Sequence, residues 1–196
     1  MKFAPGHLSP DEQVALLAAL RAALAEAPLF TPTMPRTGKP FSVRMSNLGP
    51  LGWVSDRDGY RYQATHPVTG RPWPPIPERL LTAWDEIGGY RLPPDACLLN
   101  WYEPGARMGL HQDRDEQDLD APVVSLSLGD EAVFRIGGLK RGDPTRSFRL
   151  ASGDGMALIG DSRLAYHGVD RIVPGTSALL RKQGRINLTL RRVRRG

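Results

Sequence analysis

The spacing of apolar residues changes period along the chain, and each change predicts a different kind of element. Between Ser9 and Ala27, Val14, Leu17, Leu20 and Leu24 recur at helical spacing and share a face. Ser9 and Glu12 have the spacing of a capping box, Pro10 suits the first helical position, and Pro28 ends the segment. A second helix is expected from about Glu78 to Ile87, opened by Pro77 and stopped by Gly88-Gly89. The stretch between them, Thr31 to Pro77, is rich in proline, glycine and aromatics, with short strand-like pieces at Phe41 to Met45 and Gly52 to Val54. That punctuation predicts hairpins and loops lying over a scaffold rather than a second domain.

From Asp95 onward the period drops to two. Short β-like runs follow at Cys97 to Tyr102, Val123 to Leu128, Ala132 to Ile136, Ser147 to Leu150, Met156 to Ile159, Leu164 to Val169 and Arg185 to Val193. Gly137-Gly138, Gly153-Asp154-Gly155 and Pro174-Gly175 supply turns between them. Many short strands at close spacing predict a mainly β, α+β protein: a sandwich or jelly roll with the two helices packed outside. A chain of 196 residues suits one such domain.

Composition narrows the setting. The single cysteine, Cys97, excludes an internal disulfide and a cysteine-rich zinc module, and suits a reducing compartment. Met1 to Ser9 lacks the apolar core of a signal peptide, and no apolar run reaches membrane-spanning length. The expectation is a soluble, cytoplasmic monomer. A formal charge of +5 and a pI near 9.7 favour an acidic partner, of which nucleic acid is the commonest. The closing run from Arg191 to Arg195 reads equally well as a solvated tail.

Only four histidines are present, and two sit where chemistry is plausible. In extended backbone, His111 and Asp113 project to one face, and His167 lies on a later strand. Two histidines and one carboxylate on one face of an octahedral ion make the facial triad of non-haem iron(II) oxygenases. The alternative is an exposed turn, since Asp113-Arg114-Asp115-Glu116 looks like a solvated charged run. On the last strand, Arg185, Asn187, Thr189 and Arg191 share one face while Ile186, Leu188 and Leu190 share the other. That is either an ordinary surface strand or a grip for a dicarboxylate through charge-assisted bonds. Asn100 and Tyr102 share a face in the same way.

Asn100-Trp101-Tyr102, His111-Gln112-Asp113, His167 and Arg185-x-Asn187-x-x-x-Arg191 occur in an order and spacing that resembles the AlkB family of nucleic-acid demethylases. Leu51-Gly52-Trp53, Gly59-Tyr60-Arg61-Tyr62, Ser125-Leu126-Ser127-Leu128-Gly129 and Phe134-Arg135-Ile136-Gly137-Gly138-Leu139-Lys140-Arg141 strengthen the likeness, which runs from about Phe41 to Arg191.

The resemblance implies a double-stranded β-helix over residues 95–193, a nucleotide-recognition lid over 31–77, and supporting helices at 1–30 and 78–90. It implies Fe(II) on His111, Asp113 and His167. The co-substrate 2-oxoglutarate would be held by Arg185, Asn187, Arg191, Asn100 and Tyr102, with O2 as the second co-substrate. Trp53, Tyr60, Arg61, Tyr62, Asp115 and Arg141 would recognise the base. The implied activity is oxidative demethylation of bases such as 1-methyladenine and 3-methylcytosine in single-stranded or duplex DNA, a direct reversal of damage. RNA, including tRNA, is the main alternative substrate, and a non-catalytic nucleic-acid-binding β-barrel is the alternative from another class. One departure stands out: Asp130-Glu131 puts an acidic pair on a strand-connecting turn, either near the substrate groove or simply solvated.

Overall fold

In the computed structural model, which describes residues 1–196, Ser9 caps helix α1 (Pro10–Glu26) with a reciprocal capping box to Glu12. Its inner face differs from the expected one: Leu16, Leu17 and Leu20 are buried, whereas Val14 is 60% exposed. Gln13 occupies the middle of that face at the N-terminal end, where its amide bonds Leu8 O and Ser152 Oγ. The second helix, α2 (Glu78–Ala83), passes into a single π turn, Trp84–Gly88, and stops at Gly89 with φ of 62°. No helix is long and apolar enough to cross a membrane.

The strands are β1 (Lys2–Ala4), β2 (Arg44–Leu48), β3 (Gly52–Asp56), β4 (Gly59–Gln63), β5 (Ala96–Tyr102), β6 (Met108–His111), β7 (Val123–Gly129), β8 (Glu131–Ile136), β9 (Arg146–Leu150), β10 (Gly155–Leu158), β11 (His167–Val173) and β12 (Arg185–Arg191). They form a six-stranded sheet in the order β1-β10-β7-β12-β5-β2, a four-stranded sheet in the order β6-β11-β8-β9, and the hairpin β3-β4. Every ladder is antiparallel. The two larger sheets face each other in a jelly roll, and the helices cover the outer face of the six-stranded sheet.

Strand alternation divides the interior in two. Cys97, Leu99, Val124, Leu126, Leu128, Ile186, Leu188 and Leu190 point towards the helices and join Leu16, Leu20, Leu80 and Trp84 in one apolar core. Tyr102, Val123, Met156 and Leu158 point the other way and meet Ala132, Phe134, Val169 and Ile172 of the smaller sheet in a second core. The site occupies the space beside this second core.

Two strands lie away from their expected positions. The strand expected at Phe41 to Met45 is β2, which begins at Arg44, because Phe41 N–H turns back to Pro32 O. The strand expected at Leu164 starts only at His167. Gly160–Ser162 forms a 3-10 turn, and the following residues stay turned inward so that Arg163 reaches Ala121 O and Asp113 O.

Candidate active site

His111 closes β6 and His167 opens β11, and the two are register partners across the ladder. Their rings lie 4.5 Å apart. Gly168 permits this approach, since a Cβ there would stand 2.5 Å from Met108 O and 2.8 Å from Gly109 O. Asp113 follows β6 by two residues, and its carboxylate lies 3.6 Å from Nε2 of each histidine. One ligand atom from each of the three falls within 4.8 Å of the others.

Both imidazoles are oriented by backbone. His111 Nδ1 lies 2.9 Å from Gly109 O and His167 Nδ1 lies 2.9 Å from Ala165 O. A carbonyl oxygen only accepts, so each Nδ1 donates and each Nε2 keeps its lone pair free, as a metal ligand requires. Burial and the neighbouring His167 hold the His111 imidazole below its ordinary pKa, which keeps it neutral. Burial alone would raise the Asp113 pKa. The Arg191 guanidinium opposes that effect, and the Asp113 carboxyl stays well below the usual carboxylate range.

A polar strip crosses the inner face of the six-stranded sheet beside this cluster. Asn187, Asn100 and Ser127 are aligned by strand register. Asn187 Oδ1 accepts from Ser125 Oγ at 3.0 Å and from Arg185 Nη2 at 2.7 Å, and Arg185 Nη2 also donates to Ser127 Oγ at 2.9 Å. Arg185 is fully buried and its Nε and Nη1 have no partner; Asn100 Oδ1 is likewise buried and unpaired. Burial pushes the Arg185 guanidinium down to about 10, still protonated near neutrality. Buried donors without acceptors cost free energy. A carboxylate placed against Arg185 would satisfy both, so the residues present fit an anionic co-substrate.

Arg191 has a different environment. Its Nη2 lies 2.8 Å from Asp113 Oδ1, and its Nη1 donates to Glu116 Oε1 and Tyr62 Oη, both at 2.9 Å. Glu116 also accepts from the Tyr62 hydroxyl at 2.5 Å and from Arg163 Nη2 at 3.2 Å. Two buried carboxylates therefore face two buried guanidiniums, and Arg185 is left with no carboxylate in salt-bridge range, its nearest negative influence being the more distant Asp154. Arg163 additionally grips Asp113 O at 2.7 Å, fixing the loop that carries Asp113. Glu116 and Arg163 were not foreseen from sequence. Glu116 closes a run that looks solvated, although in the structure its two ends, Asp113 and Glu116, are buried.

A cavity of about 930 Å³ opens in front of the cluster. His111, Asp113, His167, Asn100, Tyr102, Asn187 and Arg191 line its depth, and Trp53, Tyr60, Asp115 and Arg141 line its mouth. Trp53 and Tyr60 stack at 5.6 Å, and Trp53 Nε1 donates to Asp115 Oδ2 at 2.8 Å. The Arg141 guanidinium lies 5.2 Å over the Tyr166 ring. Arg61, Tyr62 and Arg185 do not line the cavity; Arg185 adjoins it through Asn187 and the Tyr102 ring, both of which do. Alternation turns Arg61 to the opposite side of β4 from Tyr60, where it pairs bidentately with Asp56 at 2.8 Å. Tyr62 shares the face of Tyr60, but its hydroxyl is drawn into the Arg191–Glu116 network.

A model of the 2OG-Fe(II) oxygenase superfamily matches residues 1–191. The chain belongs to that superfamily.

Within it, the chain is a member of the AlkB family. It is 59% identical over 190 residues to the alpha-ketoglutarate-dependent dioxygenase AlkB homolog of Caulobacter vibrioides (strain NA1000 / CB15N), covering 97% of this chain and 86% of that protein. It is 46% identical over 158 residues to the alpha-ketoglutarate-dependent dioxygenase AlkB of Escherichia coli (strain K12), covering 79% and 73% respectively. The solved structure of OsALKBH1 superposes with a TM-score of 0.83 at 33% identity, covering 97% of this chain and 95% of that one. The enzyme is thus an Fe(II)- and 2-oxoglutarate-dependent dioxygenase that uses O2.

Two remaining expectations resolve away from the cavity. Asp130 neither faces the substrate side nor is solvated: it is buried, accepting from the Thr176, Ser177 and Gly184 N–H groups at 3.0, 3.1 and 2.8 Å. It pins the long connection into β12. The basic C-terminal run is only partly solvated, because Arg191 is interior and Arg195 Nε reaches Gln117 O at 2.9 Å.

Proposed function

We propose that the enzyme removes alkyl groups from damaged nucleic-acid bases such as 1-methyladenine and 3-methylcytosine, with DNA as the substrate. His111, Asp113 and His167 are the iron ligands in this reading. Bound there, Fe(II) with 2-oxoglutarate supplies the activation of O2 that oxidises an N-alkyl carbon, leaving aldehyde, succinate and CO2. Arg185 takes the distal carboxylate of 2-oxoglutarate through its unpaired Nε and Nη1, the observation that carries the assignment. Asn187, Asn100 and Tyr102 shape the slot around it, and Arg191 holds Asp113 while offering its free Nε to the co-substrate.

Residues 31–77 act as the lid that receives the base. Methylated adenine and cytosine of this kind are cationic, so the Trp53–Tyr60 stack favours them by stacking and cation–π attraction of about 0.5–2 kcal/mol. Asp115, oriented by the Trp53 indole, presents its remaining oxygen to an exocyclic amine and adds an opposite charge. Arg141 at the mouth meets a phosphate or a flanking base. Tyr62 and Arg61 support the hairpin instead of touching the base. A duplex base must leave its stack to enter. The relatives' names support this class of substrate: an Arabidopsis thaliana protein 33% identical over 97% of this chain is named a DNA N(6)-methyladenine demethylase. A Schizosaccharomyces pombe relative, 37% identical over 42% of this chain, is named a tRNA demethylase. The protein works as a cytoplasmic monomer in this account.

The test is formaldehyde release from matched single- and double-stranded DNA and RNA oligomers carrying 3-methylcytosine. Release from DNA above RNA is the expected result. Release from RNA alone would move the substrate, and release from none would remove the demethylase reading.

A further inference from the structure

The enzyme's sulfur atoms are sorted by face of the six-stranded sheet. The chain has five methionines and one cysteine. Of its 196 residues, 33 line the cavity, yet four of the five methionines, Met34, Met45, Met108 and Met156, are among them. The apolar core on the helix side contains no methionine at all and holds the cysteine instead. There Cys97 is fully buried, and burial pushes its thiol up to about 12.

The three inner methionines line the same cavity as the His111, Asp113 and His167 cluster. Met108 lies on β6, three residues before His111, and pairs with Val169. Met45 on β2 is the register partner of Asn100, and Met156 on β10 that of Ser125, so they flank the polar strip on both sides. Met45 and Met156 are 3% and 4% exposed, closed to oxidants in bulk solvent but facing the cavity. Leucine or isoleucine would fill such positions with nearly equal bulk, as they do on the helix side. What methionine adds is a thioether that accepts an oxygen atom and can be restored by reduction.

We propose that Met45, Met108 and Met156 are internal oxygen acceptors, becoming sulfoxides when 2-oxoglutarate is consumed without a nucleic-acid substrate. The inference rests on the oxygenase chemistry assigned to the cavity. The balance is 2-oxoglutarate plus O2 plus thioether giving succinate, CO2 and sulfoxide. The bond between C1 and C2 of 2-oxoglutarate breaks, one oxygen atom enters the succinate carboxylate, and the other bonds to sulfur. Keto acid and thioether each lose two electrons, and O2 takes up four. The wall is thereby oxidised at replaceable sulfur, sparing the imidazoles and the Trp53–Tyr60 platform.

The test uses the wild-type enzyme with Fe(II), 2-oxoglutarate, air and catalase, without oligonucleotide. Succinate and the oxygen gain of each methionine-containing peptide are measured in the same sample. Oxidation of Met45, Met108 and Met156 should rise with succinate, exceed that of exposed Met1 several-fold, and fall when excess methylated oligomer is added. The Asp113→Ala variant should show neither succinate nor selective oxidation. Succinate formation with the cavity methionines oxidised no more than Met1 overturns this inference and leaves the oxygenase chemistry standing. Selective oxidation persisting in Asp113→Ala overturns it too, by assigning the oxidant to free iron. Absence of succinate from the wild type removes both readings together.

Discussion

On one side of β12, Ile186, Leu188 and Leu190 pack against the helices; on the other, Arg185, Thr189 and Arg191 are as well hidden from solvent and carry two full charges. The apolar face is complete within the chain. On the polar face, Arg191 finds its carboxylates, while Arg185 leaves two donors unanswered. Burying a cation without a counter-charge destabilises a fold unless something else completes it. In the function proposed here the difference between the faces is one between stability and binding: one holds the sheet in place, and the other leaves donors open to a ligand.

The largest effect expected is at the cavity end of this contrast. Asp113→Ala removes a proposed metal ligand, so demethylation and succinate formation should both fall below detection while the fold persists by circular dichroism; substantial residual turnover would dissolve the triad. Leu188→Ala attacks the other face. It should lower unfolding free energy by about 2–5 kcal/mol in denaturant titration, with 2-oxoglutarate affinity intact where the protein is folded. Arg185→Met inverts that signature: the 2-oxoglutarate KM rises roughly 10²-fold while the melting temperature stays level or increases. A variant at Arg185 that lost stability and kept its KM would erase the distinction between the faces. Further out, Trp53→Ala should weaken damaged-base turnover by about 1–3 kcal/mol, with unstimulated 2-oxoglutarate decay unchanged. The smallest effect is chemical silence: with its thiol buried and pushed up to about 12, Cys97 should resist thiol reagents in the folded enzyme and react once it is unfolded.

Much of the site was legible because strand period and metal geometry act over a few residues. His111 and Asp113 two apart, and Arg185, Asn187, Thr189 and Arg191 on alternate positions, needed only an extended backbone. Alternation does not tell whether a polar face meets water or a second sheet, so the burial of Arg185 was invisible until β12 was seen between β7 and β5. Ser125 and Ser127 were a usable signal, two hydroxyls at period two in an otherwise apolar strand, matching Asn187 across the ladder. Glu116 and Arg163 gave none, since Glu116 finds its partners on β4 and β12 and Arg163 finds its own in the loop between β6 and β7, all far along the chain. Arg61 and Tyr62 were grouped with Tyr60 as one motif, and the hairpin's own alternation and hydrogen bonds separate them. His167 was expected inside a strand from Leu164 to Val169, and the structure makes it the first residue of β11, because tertiary bonds from Arg163 hold the preceding segment in turns.

The most direct test of the account is an anaerobic titration with Fe(II) and 2-oxoglutarate, followed by the weak visible charge-transfer absorption of the chelate. The wild type should develop the band at saturating co-substrate. Asp113→Ala should show none, and Arg185→Met should need roughly 10²-fold more 2-oxoglutarate for the same amplitude. No band in the wild type, or one with unchanged 2-oxoglutarate dependence in Arg185→Met, would contradict the claim that this incomplete arginine is the co-substrate anchor beside the iron site.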